Sequence, residues 1–291
     1  MTLTDHVIRV LSPDSPGLLR TAEHRIDERW LRAFTVAVGD TRAEFFDLDH
    51  DGGIVGHPVF PVCVEWPLIE YGAPGIDLSA ATLRLGLHVS HRMRMYAPLR
   101  PGQVVRTEAR LYRAEARSTS VRITTEFRTV TLDGKPIVTT QLGTLYRGAR
   151  LEGVKEPSPE REPGLDVTAG LTRVATFVVD ATNAVVYSEC TRIWNPIHTD
   201  VRIARAAGLP NTVLHGTETL ARAVSAVTRA AVFPRTGDIT GIDCRFTSPV
   251  FPGMTLAVNA ARVTDNSIAF DVRAADGTPS ISDGLITFDN P

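Results

Sequence analysis

The sequence predicts an α+β fold built twice: in each half an antiparallel sheet wraps a central helix, and the two sheets pair edge to edge. Two observations carry this. A set of turn and strand signals recurs at a constant offset, and an amphipathic helix pattern lies ahead of those signals.

The repeat is clearest in two segments. Pro98-Leu-Arg-Pro101-Gly102 leads into the alternating run Gln103 to Tyr112, and Pro249-Val-Phe-Pro252-Gly253 leads into Met254 to Val263. The two prolines and the two glycines are each 151 residues apart, a coincidence of spacing that chance rarely produces. A second alternating run follows in each half, Ser120 to Val130 and Ser267 to Arg273, and each ends in an Asp-Gly turn, Asp133-Gly134 and Asp276-Gly277. A last strand closes each half, Pro136 to Tyr146 and Pro279 to Phe288. Helices are expected at Pro61 to Tyr71 and at Gly216 to Ala231. In the second, Leu220, Ala223, Val224, Val227 and Ala231 recur at helical spacing, while Arg222 and Arg229 fall on other faces.

The expected organisation is a first domain over 1–147, a linker over 148–170 rich in Pro, Glu, Gly and Arg, and a second domain over 171–291. At 291 residues, 43% hydrophobic and 22% charged, the chain has ample apolar material for two cores. A net charge of -2 without a basic run argues against nucleic acid as a partner. The N-terminus lacks the pattern of a secretion signal, no apolar run reaches membrane-spanning length, and Cys63, Cys190 and Cys244 form no Cys-x-x-Cys pair. A cytoplasmic protein with three free thiols is expected, either a monomer or a homodimer. No cofactor is implied, since neither a dinucleotide-binding glycine pattern nor a P-loop is present, and the eight His residues do not fall at metal-ligand spacing.

The most informative stretch is Tyr187-Ser-Glu-Cys-Thr-Arg-Ile-Trp-Asn195-Pro196-Ile197-His198-Thr-Asp200, followed by Val213-Leu214-His215-Gly216. It resembles the signature of the MaoC-like family of (R)-specific enoyl-CoA hydratases and 3-hydroxyacyl thioester dehydratases, Gly-Asp-x-Asn-Pro-Ile/Leu-His and then His-Gly at the start of the central helix. The first half, through Gly39-Asp40, Gly56-His57-Pro58 and Pro98 to Gly102, is similar to the degenerate partner domain of two-domain members. The resemblance covers nearly the whole chain and implies a double hotdog fold. Its implied substrate is an acyl thioester on coenzyme A or an acyl carrier protein, and its implied reaction is the interconversion of 2-enoyl and 3-hydroxyacyl forms.

One departure stands out. The position of the family's catalytic Asp holds Ile193, and the Gly before it is Arg192. The remaining residues still supply candidates. His198 is the expected acid/base. Asn195 is a water or substrate holder, or equally the N-cap of a short helix beginning at Pro196. Gly216 offers a backbone N–H at a helix start and room for a ligand. Ile193, Trp194, His215 and Thr217 are the candidate substrate-binding residues. For the missing acid the nearby carboxylates are Asp200, Glu189 and Glu218; Asp200, the candidate substitute acid, shares a face with His198 if the segment is extended and is turned away if it is helical. Asp40 has the aromatic Phe45 in place of a His partner, so the first half is expected to be silent and to form the tunnel wall, with His57, His88 and His91 structural or tunnel-lining. Alternatives to hydration on the same fold are a thioesterase, an isomerase, a conjugate-addition or cyclisation catalyst, or a non-catalytic acyl-binding subunit.

Overall fold

The computed structural model describes residues 6–153, 170–230 and 239–289. In chain order the first half contains β1 (Val7–Val10), β2 (Leu19–Arg25), α1 (Glu28–Ala37), the one-turn helices α2 (Ala43–Phe46) and α3 (Val62–Glu65), and a 3-10 turn at Trp66–Leu68. It continues with β3 (Ile76–Leu78), α4 (Ala80–Leu83), β4 (Gly86–Met95), β5 (Val104–Arg117), β6 (Ser120–Thr131), β7 (Pro136–Arg147) and β8 (Arg150–Glu152). The second half contains β9 (Thr172–Val178), α5 (Asn183–Thr191), a 3-10 turn at Pro196–His198, α6 (Val201–Ala206) and α7 (Gly216–Ala230). It ends in β10 (Ile239–Phe246), β11 (Thr255–Thr264), β12 (Ser267–Ala274) and β13 (Pro279–Phe288).

Ten strands form one sheet in the order β2-β5-β6-β7-β4-β10-β13-β12-β11-β9. Read outward from the central β4–β10 seam, the two flanks have the same connectivity, so the repeat seen in the sequence is also a repeat of topology. At the seam the antiparallel register sets Met93 opposite Ile242 and His91 opposite Cys244, with Arg92 paired to Asp243 across the strands. Main-chain hydrogen bonds repeat as well. Gly102 N donates to Ile26 O and Gly253 N to Val179 O, both at 2.8 Å, and these two glycines have φ of +84° and +88°, the left-handed region that favours glycine.

The three alternating pairs of runs are strands within a few residues of their expected ends. The helix expected from Gly216 is described to Ala230; its last residue, Ala231, lies outside the described residues. The helix expected over Pro61 to Tyr71 is shorter, α3 and a 3-10 turn, because Pro67 has no N–H for a longer ladder. The expected linker begins in a strand: β8 pairs parallel with β1, which also pairs antiparallel with β3 in a small separate sheet. Residues 154–169 of that segment lie outside the described residues.

Each half places one amphipathic helix against the core. Asp27 caps α1 by accepting from Trp30 N at 2.7 Å, and α1 buries Trp30, Leu31 and Phe34. In α7 the apolar face buries Leu220, Ala223, Val224 and Val227 beneath the second half of the sheet. A second stripe of α7, at residues 218, 222, 225 and 229, meets the first half through polar contacts. Arg222 bridges Glu218 and the Ala37 carbonyl, Ser225 bonds His57, and Arg229 reaches the Gly39 carbonyl. Steps of three and four residues align these side chains on one face, which is why one helix serves both halves.

Among the buried polar groups, Glu65 stands out: it is 2% exposed, and neither carboxyl oxygen has a hydrogen-bond partner. Burial raises its pKa from 4.5 to about 7, and the nearby Thr140 hydroxyl tempers that rise without reaching hydrogen-bond geometry. The folded chain therefore holds a proton that the unfolded chain releases at lower pH, so this contribution to stability declines as pH rises from about 4.5 through about 7. Glu65→Gln is expected to flatten the decline and to gain up to about 3 kcal/mol over the native protein on the alkaline side. Urea midpoints measured at acid and alkaline pH check this, and identical pH slopes for the two proteins would sink it.

Candidate functional site

Helix α5 ends abruptly. Its C-cap, Arg192, lies in the left-handed region at φ 63° and ψ 31°, and its guanidinium carbon sits 4.1 Å from the centre of the Trp30 ring, a cation–π contact. The turn is closed by Ile193 N donating to Ser188 O at 3.2 Å, and it buries Ile193 to 5% exposure. The chain then emerges at Trp194, 53% exposed, before Asn195 caps the 3-10 turn by accepting from Ile197 N at 3.4 Å. This is the N-cap that Asn-Pro predicts, and it uses the carboxamide oxygen, leaving the NH2 group for another partner.

His198 closes the 3-10 turn. Its Nδ1 lies 2.7 Å from the Val213 carbonyl, and since a carbonyl only accepts, Nδ1 carries the proton and Nε2 keeps its lone pair. Val213 binds the turn a second time, its N–H donating to Ile197 O at 3.3 Å. The His215 ring stacks on His198 with centroids 3.6 Å apart and planes 23° apart. Burial lowers the His198 pKa to about 4, offset in part by the Val213 carbonyl; His215 is lowered still further, first by burial and then by His198 beside it. Both imidazoles are therefore neutral at neutral pH.

Beyond His215 the stack continues. The Tyr187 ring lies 4.8 Å from it, Ser188 Oγ is 3.2 Å from His215 Nε2, and the Tyr187 hydroxyl donates to Thr217 Oγ1 at 3.0 Å. Helix α7 starts at Gly216, and a Cβ there would stand 3.1 Å from the Phe246 ring. Glycine thus lets the helix start pack closely against an aromatic wall of the protein itself. Glu218, in the first turn of the same helix, is fully buried; Arg222 binds one carboxyl oxygen, the other has no hydrogen-bond partner, and burial raises the pKa to about 7.

Comparison with known proteins places a domain of one family in the second half. The profile of the family described as MaoC like domain matches residues 155–282. The chain carries a MaoC-like domain. Enoyl-CoA hydratase ChsH3 of Mycobacterium tuberculosis is 30% identical over 199 residues, which cover 66% of this chain and 65% of that protein. The chain thus aligns with slightly less than two thirds of that relative. A crystal structure of a MaoC-like dehydratase from Phytophthora capsici superposes with a TM-score of 0.79 at 20% identity, covering 95% of this chain and 96% of that one. A Mycobacterium tuberculosis protein described as a double hotdog superposes with a TM-score of 0.63 at 14% identity, covering 94% and 95%. The double hotdog fold is the one this chain adopts.

Against the MaoC-like signature, the structure brings together His198, His215, Ile193 and the start of α7, and it removes two of the expected participants. Asp200 is not a substitute acid. It is the N-cap of α6, its carboxylate taken by Arg202 N at 2.8 Å, Nε at 3.0 Å and Nη2 at 2.6 Å, and these bonds hold its pKa down at about 2. A carboxylate so held stays ionised and cannot donate a proton at neutral pH. Trp194 is no buried pocket wall; its ring faces largely outward because the turn that buries Ile193 directs the next residue to the surface.

The first half retains the same backbone scaffold with different side chains. Gly39 has φ +73°, like Arg192, and Asp40 N donates to Thr35 O as Ile193 N does to Ser188 O. Val55 N donates to Glu44 O as Val213 N does to Ile197 O. These bonds equate Asp40 with Ile193, Phe45 with His198 and His57 with His215. Each half has thus lost the member of the Asp–His pair that the other keeps. Asp40 is fully buried and clamped by Arg42 Nε and Nη2, at 3.0 and 2.7 Å, and His57 has both ring nitrogens engaged, with Val59 N and Ser225 Oγ.

The sequence reading missed Tyr187, Ser188, Val213 and Phe246. A signal existed for Ser188 and Tyr187, which precede the motif by one helical turn and so can face it; Val213 acts through its main chain, which no side-chain pattern reveals. The Gly216–Phe246 contact gives a direct test. Gly216→Ala is expected to cost about 1–3 kcal/mol through overpacking. Adding Phe246→Leu should recover most of that loss, and thermal melts of the single and double variants that simply add would show the two positions to be uncoupled.

Proposed function

We propose that this protein interconverts 2-enoyl and 3-hydroxyacyl thioesters, carried on coenzyme A or an acyl carrier protein, with His198 as the single acid/base. The observation that carries the reading is the fixed tautomer of His198. Its Nδ1–H is committed to Val213 O, so a lone pair on Nε2 stands beside a helix start whose Gly216 N–H makes no hydrogen bond among the described residues. In hydration, Nε2 takes a proton from water as the water oxygen bonds to C3. The electrons of the C2=C3 bond move toward the thioester oxygen, next to the positive end of α7, and the proton on His198 returns to C2. Dehydration is the reverse. The Asn195 NH2 group orients the water or the thioester, and Ile193 supplies an apolar wall where the family has a carboxylate.

With crotonyl-CoA as substrate, loss of the conjugated absorbance is expected with the native protein and a fall of about 100-fold or more with His198→Ala. Native protein that turns over neither crotonyl-CoA nor longer or carrier-bound enoyl thioesters would end the reading. The pH profile carries its own expectation. A base whose pKa lies near 4 is active above that value, so kcat/KM should stay level from neutral pH down to about pH 5 and fall as pH drops through about 4. An acid limb near the ordinary histidine value of 6.5 would show that burial does not control this imidazole.

A second reading keeps the acyl thioester and changes the reaction to isomerisation, thioester hydrolysis, conjugate addition or cyclisation. The buried Ile193 favours it, since an apolar side chain there withholds one of the two groups that hold water in the family. Mass analysis of products separates these cases, because hydration adds one water and isomerisation none. Tight binding without turnover, with Ile193→Asp restoring hydration, would instead mark an acyl-binding subunit.

A further inference from the structure

We propose that Thr217 donates its hydroxyl to the carbonyl oxygen of the bound thioester, and that the buried phenol of Tyr187 positions it to do so; this rests on the acyl-thioester reading above.

The argument begins with what a threonine in a helix ordinarily does, which is to donate its hydroxyl to a carbonyl of the preceding turn. Four helical threonines here behave that way. Thr35 donates to Arg32 O, Thr191 to Tyr187 O, Thr219 to His215 O and Thr228 to Val224 O. Thr217 does not. Its acceptor four residues back is the Val213 carbonyl, and that carbonyl holds the His198 Nδ1 proton.

The side chain of Thr217 instead accepts from the Tyr187 hydroxyl at 3.0 Å. Tyr187 is fully buried, and burial pushes its pKa well up, so the phenol keeps its proton and remains a donor. With its oxygen serving as acceptor, Thr217 has one proton left to give, and no residue among those described takes it. Thr217 itself is only partly buried.

That hydroxyl lies where donors already gather. The N–H groups of Gly216 and Thr217 are the first two of α7 and make no hydrogen bond among the described residues. Two amides and one hydroxyl on adjacent residues suit a single oxygen that gains negative charge, as a thioester carbonyl does when it becomes enolate-like. No proton is transferred by Thr217; it only lends a hydrogen bond that strengthens as charge develops. The same three donors favour an acyl thioester over a ligand lacking the carbonyl.

The test compares two ligands and three variants. Butyryl-CoA carries the carbonyl oxygen, and S-butyl-CoA, a thioether, lacks it. The native protein is expected to bind the thioester more tightly than the thioether. Thr217→Val, which keeps the shape, should lower that preference about tenfold with thioether affinity unchanged, and lower kcat on crotonyl-CoA by about 100-fold. Thr217→Ser should restore both, and Tyr187→Phe should fall between, with its thioether affinity also intact. A Thr217→Val protein with native preference and native turnover would overturn the assignment while leaving the hydratase reading in place. Absence of any acyl-CoA binding to the native protein would remove the reading itself, and the assignment with it. Should Thr217→Val also lose the thioether, Thr217→Ser decides: recovery of the preference supports the hydroxyl's role, and no recovery ends it.

Discussion

Val213 holds the site together through its main chain. Its N–H donates to Ile197 O and its carbonyl accepts the His198 Nδ1 proton, so the two peptide groups that flank one Cα set both the position of the 3-10 turn and the tautomer of the imidazole at its end. Three residues later the same strand of chain becomes α7. The proposed base and the helix start are therefore both tied to the short segment from Val213 to Gly216, one by a hydrogen bond and the other by the chain itself. His215, stacked between His198 and Tyr187, fills the space inside that segment.

Duplication explains both what is present and what is missing. Asp40 and Ile193 occupy equivalent turns, each closed by the same backbone hydrogen bond. A buried carboxylate needs compensation, and in the first half Arg42 lies two residues on with its guanidinium across Asp40. The second half has Asn195 at that place and Ile193 in the turn, so no charge is buried and no cation is needed. Phe45 and His198 make the complementary exchange. The chain thus keeps the carboxylate of the pair in one half and the imidazole in the other.

Much of this was legible in the residues. The Pro-x-x-Pro-Gly repeat and the Asp-Gly turns located six strands, and Asn-Pro-Ile-His with His-Gly marked the candidate site, because turns and caps are dictated locally by the conformations that Pro, Gly and Asn allow. The small sheet was not legible: β1, β3 and β8 have three or four residues each, too few to show a period. Asp200 was misjudged for a related reason. Whether the residue after His-Thr runs on extended or caps a helix depends on α6, whose six residues carry only a weak apolar pattern. Tyr187 was hidden by its type, since a tyrosine in an apolar helix reads as packing until its hydroxyl is seen to have a partner.

The seam between β4 and β10 has a mechanical side. Five residue pairs in register, from Gly241 with Arg94 to Arg245 with Ser90, knit the halves into a continuous ribbon, and α7 sends its polar stripe across to the other half. Hinge motion between the halves would have to break ladder bonds in the middle of the ribbon, which leaves domain closure unfavourable as a way to admit a long acyl carrier. On the proposed reading an acyl thioester would therefore enter through the loops and short helices around the rim, rather than by a swing of one half on the other.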